Sequence, residues 1–218
     1  MCYNKPMKIP PILLKTLKSI ILLGMAWLIL DAISPWTAWS PTRDPNDYGW
    51  NLFSYFTTDS NLITATVLIL ATVAVWRDKA FGGWFRYLRG GAVVYMIITA
   101  VVYQVLLADT GANDWNNFVL HRLAPAFVVL WYVLFPSAKS ISAKQANWWL
   151  AFPVAWTIYT LIRAALIDWY PYPFLNPAEV GGTSGVAIHM IGIALGFTTV
   201  SHIVAWISRR RESAASLY

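Results

Sequence analysis

The chain alternates between six long apolar stretches and short polar connections. The stretches are continuous, without the alternation of apolar and polar residues that marks barrel strands. Each has about the 20 residues that a helix needs to cross the hydrocarbon core of a bilayer. They cover residues 14–35, 52–76, 90–108, 117–136, 147–167 and 185–207. The pattern predicts an all-α, polytopic membrane protein in which residues 1–218 form one domain of six transmembrane helices.

Composition agrees with this membrane class. The chain is 58% hydrophobic and 12% charged, whereas a soluble domain has about 25% charged residues. Its 13 tryptophans suit a membrane protein because Trp and Tyr are enriched at the membrane–water boundary. The first apolar stretch follows lysines but is not followed by a small-residue cleavage motif, so we expect an uncleaved anchor rather than a signal peptide.

The connections differ in charge. Of the 16 lysines and arginines, 13 precede span 1, separate spans 2 and 3 or spans 4 and 5, or follow span 6. Because cytoplasmic loops carry the excess of Lys and Arg, both termini are predicted to be cytoplasmic. The net charge of +6 is then an orientation signal and a contact with anionic membrane lipids. We expect no nucleic-acid partner.

Polar side chains collect in the predicted outer half of the spans. Ionisable residues within a membrane are costly and normally face the protein interior or a wet cavity, so this distribution predicts a polar chamber open toward the outer leaflet. In span 2, Ser54, Thr57 and Asn61 follow one another at i, i+3 and i+7, which places them on one helix face. The full set is Ser54, Thr57, Thr58, Asp59, Asn61, His121, Arg122, Arg163 and His189.

Two of these positions have informative neighbours. His189 shares a helix face with Gly192 and Gly196, which form a G-x-x-x-G motif of the kind that brings membrane helices close together. The motif predicts that His189 points into the protein. Pro125 has no N–H to bond the carbonyl of His121 four residues earlier, so that carbonyl is left free beside the imidazole.

Each polar residue also has an ordinary structural explanation. A membrane threonine such as Thr57 or Thr58 often bonds the carbonyl four residues earlier. His121 can form a hydrogen bond to a neighbouring helix. Arg163 can pair with Asp168 or extend to the membrane–water interface. The sequence has no G-x-S-x-G, H-E-x-x-H or phosphate-loop motif, and we expect neither a metal nor another cofactor.

A threonine and a histidine at one depth also make a chemically sensible pair. A hydroxyl becomes a useful nucleophile only when a nearby base takes its proton. Imidazole suits that role because its ordinary pKa of about 6.5 lies near neutrality. Thr57 and His121 are therefore candidate catalytic residues.

Three short segments carry a resemblance to a known family. "FSYFTTDSNL" opens span 2, "LHRLAP" opens span 4, and "WYPYPFLNP" lies in an outer connection. Together they resemble the bacterial six-helix relatives of the androgen-induced and androgen-dependent TFPI-regulating membrane proteins, which are intramembrane threonine hydrolases. The resemblance implies a bacterial cytoplasmic membrane, Thr57 as nucleophile, His121 as its partner, and residues 172–175 as a shared structural element. The adjacent Thr58 remains the alternative nucleophile.

Three functions are compatible with these features. The first is a lipid-ester hydrolase in which Thr57 attacks, His121 acts as base and then acid, and Asn61 or Arg122 stabilises the oxyanion. Arg163 or His189 would hold a substrate carboxylate, and Ser54 and Thr58 would line the substrate site. The second is a binder or carrier of a lipid or another hydrophobic ligand. The third is a proton-coupled or sensor protein with a charge network of Asp59, Asp109, His121 and Arg163.

Overall fold

The computed structural model describes residues 10–33, 49–77, 81–108, 114–137 and 139–215, which are mostly helical and contain no strand. Six helices are long and apolar enough to cross a membrane: α1 (Pro11–Ile33), α2 (Phe56–Arg77), α3 (Gly83–Leu107), α4 (Trp115–Leu134), α5 (Ala143–Ile167) and α6 (Thr183–Ala215, with an apolar part at Thr183–Arg210). This confirms the predicted helical class and the six apolar spans of a multi-pass membrane protein. Asp109 and the basic residues Lys5, Lys8 and Lys79 lie outside the described residues.

The predicted boundaries lie within four residues of the observed ones, except at the end of α6, which continues to Ala215, and at the start of α3. This helix begins at Gly83 instead of residue 90, because a basic residue that resembles a span boundary is folded inward. The Arg89 side chain is buried and donates to the carbonyls of Trp131 and Phe135. Its guanidinium lies 4.0 Å from the centre of the Trp131 ring. With these partners inside the protein, the Arg89 side chain does not have to reach water, and the helix continues through this residue.

Contacts at one end of the bundle show that α1 and α2, and likewise α5 and α6, run in opposite directions. At one end, Trp76 near the end of α2 donates to the hydroxyl of Ser19 near the start of α1, at 2.8 Å. At the same end, Arg209 of α6 donates to the carbonyl of Ile141, just before α5, at 3.3 Å. The opposite end, where α2, α4 and α6 begin, is called the site end below.

Helix α3 lies at the centre of the packing, since α2, α4 and α6 all contact it. Its Val94 and Met96 are fully buried. Away from the site end, the Trp149 ring of α5 lies directly on Gly90, where an added Cβ would be 2.3 Å from the ring. The Trp149 Nε1 donates to the carbonyl of Tyr87 at 3.0 Å. Glycine at position 90 is therefore what allows α5 to pack on α3 here.

Local signals mark where α4 and α5 begin and where α5 ends. The Asp114 side chain caps α4 by accepting from the Asn117 N–H at 2.8 Å. Helix α5 starts with a capping box between Ser142 and Gln145. It ends at Asp168, whose φ of 50° is the left-handed conformation that commonly terminates helices. That turn directs the chain into the connection that supplies part of the site.

The predicted close packing at the G-x-x-x-G motif is wrong. A Cβ at Gly192 would meet nothing within 4 Å among the described residues, and one at Gly196 would meet only the Ile98 side chain at 3.5 Å. Helix α6 instead buries an adjacent face that carries Phe197 and Ala205. Larger side chains pack there because they remove more apolar area than a glycine can.

Candidate functional site

The central contact of the site joins α2 and α4. Thr57 lies in the first turn of α2, and its Oγ1 is 3.2 Å from Nε2 of His121. The other imidazole nitrogen, Nδ1, is 3.1 Å from the carbonyl oxygen of Asn117. Since a carbonyl only accepts, Nδ1 carries the hydrogen and Nε2 presents its lone pair to the threonine. The histidine is therefore oriented to accept the Thr57 proton.

Tyr172 completes the surroundings of Thr57. Its hydroxyl oxygen accepts from the Thr57 N–H at 3.2 Å and lies 3.3 Å from Thr57 Oγ1. An N–H in the first turn of a helix has no acceptor within that helix, and the Tyr172 hydroxyl is the acceptor for the Thr57 N–H. It also keeps its own hydrogen for donation toward Oγ1 or an atom bound there. Burial raises the Tyr172 pKa to about 12, so the phenol stays protonated at neutral pH.

Aromatic contacts hold Tyr172 in place. Its ring stacks nearly parallel to Phe174, with centroids 5.1 Å apart, and meets the edge of Tyr55 at 5.6 Å. Resemblance alone implied a structural element at residues 172–175, and the hydroxyl contact at Thr57 was not predicted. Nothing in the spacing of the spans signals it, because Tyr172 lies in a connection rather than in a helix.

His121 is held by an unusual pair of helical turns. Both Tyr103–Leu107 in α3 and Val119–Leu123 in α4 are π-helical, a rare conformation that is frequent at functional sites. The Tyr103 ring stacks on the imidazole with centroids 3.9 Å apart and an interplanar angle of 20°. Tyr103 therefore fixes the plane of the ring, which the Asn117 carbonyl alone would leave free to tilt.

Asn61 connects the two helices behind the pair. Its Nδ2 donates to the carbonyl of Thr57 at 2.9 Å and to the carbonyl of Leu120 at 3.2 Å. Both amide hydrogens are thus directed at backbone carbonyls, which leaves no N–H of this side chain for an oxyanion. Ser60 adds a third constraint, bonding the Thr57 carbonyl at 3.1 Å and Thr99 at 2.9 Å. Asn61 positions the backbone of the pair.

The remaining candidates on α2 and α4 lie around this centre. Ser54 is buried and contacts the Tyr159 hydroxyl at 3.1 Å. Thr58 is also buried and lines a cavity next to the pair. Arg122 is exposed, and its guanidinium lies 5.9 Å from the centre of the Tyr103 ring. Of the two adjacent threonines, Thr57 contacts the imidazole of His121, and Thr58 lines the neighbouring cavity.

Arg163 and His189, the candidates for holding a substrate carboxylate, do not line the cavities next to Thr57. Arg163 donates to the side chain of Asn51 and lies over the Trp169 ring at 4.9 Å. The Nδ1 of His189 lies 2.8 Å from the carbonyl of Gly185. The His189 ring stacks on Phe174 with centroids 6.2 Å apart, and Phe174 in turn stacks on Tyr172. His189 is therefore connected to Thr57 through these two rings.

Two cavities flank Thr57, and both are also lined by Tyr172. The first, of about 50 Å³, extends toward α5 and α6 among mostly apolar side chains. The second, of about 390 Å³, lies toward α1 and α4 and includes Thr58, Asp114 and Asn117. The Thr57 hydroxyl therefore stands between an apolar space and a polar space.

Comparison with known proteins adds no assignment, because no family model, curated protein sequence or solved structure matches this chain. Within the part of the chain that the structure describes, no group of three or more His, Cys, Asp or Glu side chains is placed to hold a metal ion. The chemistry of the site has to be argued from its own residues.

Proposed function

We propose that the protein is an intramembrane hydrolase of lipid esters, with Thr57 as nucleophile and His121 as general base. The observation that carries the proposal is the 3.2 Å contact between Thr57 Oγ1 and His121 Nε2. A threonine with a purely structural role would bond its own helix backbone, as Thr66 does with the carbonyl of Leu62 at 2.9 Å. The Thr57 hydroxyl on α2 instead contacts a base on a different helix, α4.

The geometry supports a two-step acyl transfer. In the first step, Thr57 Oγ1 bonds to the ester carbonyl carbon while its proton passes to His121 Nε2. Nε2 then returns the proton to the leaving alkoxide as the ester C–O bond breaks, which releases an alcohol and leaves an acyl-threonine. In the second step, His121 Nε2 takes a proton from water as the water oxygen bonds to the acyl carbon. The bond between that carbon and Thr57 Oγ1 then breaks, Nε2 returns the proton to Oγ1, and a carboxylic acid and free Thr57 are formed.

Tyr172 supplies the electrophilic assistance in this scheme. The Tyr172 oxygen accepts the hydrogen bond from the Thr57 N–H, so the Tyr172 hydroxyl hydrogen is not used in that bond. That hydrogen can be donated to the oxyanion that forms on the substrate carbonyl. A preorganised donor in a site with little water is worth more than one in solution, because the surrounding dielectric screens it less. Asn61 holds the pair in position through its side-chain amide, and Asn117 does so through its backbone carbonyl.

The proposed location is the bacterial cytoplasmic membrane, with both termini cytoplasmic and the site end in the outer leaflet. The support is the charge distribution along the sequence, which assigns 13 of the 16 lysines and arginines to the predicted cytoplasmic side. Lipid esters reach such a site from within the bilayer, and the membrane lipids are then both solvent and source of substrate.

Labelling with a dodecyl fluorophosphonate tests the proposal. An activated hydroxyl displaces fluoride from this probe and forms a stable O–P bond. Purified protein in detergent should be labelled, and mass spectrometry should locate the adduct on Thr57 rather than on Thr58. Thr57→Ala and His121→Ala should abolish labelling, whereas the matched control Thr66→Ala on the same helix should retain it. An adduct that survives both site substitutions refutes the proposal.

A second candidate function is the binding or carriage of a hydrophobic ligand in the same cavities. It is favoured by the mostly apolar lining of the space toward α5 and α6. A binder would retain a radiolabelled lipid ester without converting it, and Thr57→Ala would leave that retention unchanged. Release of fatty acid that depends on Thr57 separates the two functions.

A further inference from the structure

A lipid-facing groove continues the apolar cavity next to Thr57. The groove lies between α5 and α6 and has a volume of about 320 Å³, which is within the range of about 300–1,000 Å³ typical of small-molecule sites. It shares five lining residues with the cavity: Pro153, Thr157, Met190, Ile193 and Phe197. Thr57 and the membrane-facing surface are thereby joined by one apolar path.

The path exists because α5 contacts α6 mainly through its first part, Ala143–Leu150. Beyond that part, Ala151–Ile167 makes few contacts with α6, which packs along α3. The outer walls of the groove include Val154 and Ile158 of α5 and Ile191 of α6, each more than half exposed at 55%, 54% and 61%. In a membrane such side chains face lipid tails, so the groove opens laterally to the bilayer.

The opposite side of Thr57 has a different chemistry. None of the described residues that line the groove carries a charge, whereas the 390 Å³ cavity toward α1 and α4 contains Asp114, Asn116 and Asn117. Compared with a water-filled space, the first space favours hydrocarbon by about 0.8 kcal/mol for each CH₂ that it buries. Water and an alcohol group are favoured in the second, where they find hydrogen-bonding partners.

We infer that the acyl chain of the substrate enters from the bilayer between α5 and α6, and that water and the departing alcohol use the polar cavity toward α1 and α4. The inference rests on the proposed hydrolase function and adds to it the orientation of the substrate. Thr157 and Met190 stand on opposite walls where groove and cavity join. These two residues determine which acyl chains reach the nucleophile.

Crosslinking in the unaltered protein tests the path. A fluorophosphonate whose long alkyl chain ends in a diazirine is first allowed to react with Thr57 and is then irradiated, and the crosslinked residues are identified by mass spectrometry. The expected crosslinks lie on groove-lining residues of α5 and α6, such as Val154 and Ile191. Crosslinks confined to the α1 and α4 side would overturn the inference, although Thr57 would still be the nucleophile.

Plugging the junction gives a second measurement. Thr157→Trp should lower the ratio of labelling rates for dodecyl and ethyl fluorophosphonates by at least about tenfold, since even one methylene in an apolar pocket can change selectivity by that much. Met190→Trp should act in the same way from the other wall. Ile162→Trp, on the lipid-exposed surface of α5 at 58% exposure, is the matched control and should leave the ratio unchanged.

The outcomes separate the two proposals. If the unaltered protein is not labelled at Thr57 by either probe, the hydrolase function fails and the acyl path fails with it. If Thr57 is labelled but the plugged variants keep the ratio of the unaltered protein, only the acyl path fails. Size-exclusion profiles of all variants show whether the substituted proteins are folded, and the crosslinking arm needs no substitution at all.

Discussion

Replacing Tyr172 with phenylalanine tests the role of a single hydroxyl group. The substitution keeps the ring that stacks on Phe174 and meets Tyr55. It removes an oxygen that lies 3.2 Å from the Thr57 N–H and 3.3 Å from Thr57 Oγ1. Packing in the connection is therefore preserved while two polar contacts at the nucleophile are lost.

The two losses have different magnitudes. The Thr57 N–H has no carbonyl within its helix, and leaving a buried donor unpaired costs about 1–3 kcal/mol of stability. Removing a donor to the oxyanion costs about 10²–10³-fold in kcat. The Michaelis constant should change little, because apolar contacts that Tyr172→Phe does not alter hold the acyl chain. The prediction is a large fall in kcat with only a modest fall in thermal midpoint.

The assay is fatty-acid release from a lipid ester in detergent, together with thermal unfolding of the same samples. Tyr159→Phe is the matched control, since its hydroxyl contacts Ser54 at 3.1 Å and not Thr57. The control should lose stability without a comparable loss of kcat. A kcat for Tyr172→Phe within about threefold of the unaltered protein, far from the loss expected for an oxyanion donor, would refute the assignment.

Two further predictions concern stability. Gly90→Ala should lower the free energy of unfolding by about 1–3 kcal/mol, because its Cβ would be 2.3 Å from the Trp149 ring. Gly24→Ala should instead raise that free energy by up to about 1 kcal/mol, since nothing lies within 4 Å of its Cβ. Thermal unfolding of both variants gives the comparison. The raised pKa of Tyr172, about 12 against an ordinary 10.0, predicts stability that is present below pH 10 and lost as pH rises toward 12, because the unfolded chain releases that proton first. Tyr172→Phe should flatten the decline of the thermal midpoint over that interval.

The six spans could be predicted because crossing a bilayer imposes a length and a composition on each helix. A boundary is less well determined, as Arg89 shows. A charged residue near a span end is expected in water, yet here the guanidinium lies on the Trp131 ring and donates to the carbonyls of Trp131 and Phe135. These partners lie at the end of α4 and just after it, far along the chain, and no local pattern reveals them.

The same limit explains the mixed outcome for the site residues. Span order predicts that Thr57 and His121 lie at one depth in the membrane, and the structure brings the two side chains into contact. The direction in which a side chain points around the bundle depends on which helices are neighbours. Arg163 contacts Asn51, and His189 stacks on Phe174, so neither reaches the nucleophile.

The position of His121 also depends on a departure from regular helix. Pro125 cannot donate to the His121 carbonyl, and next to it the Ala124 N–H bonds the carbonyl of Val119, five residues back. One extra residue in a turn rotates the residues on either side by about 100° relative to a regular helix. Predictions from regular helical spacing therefore cannot give the direction of this imidazole. The matching π-helical turn that carries Tyr103 lies across from it, so two irregular turns together hold the base against Thr57.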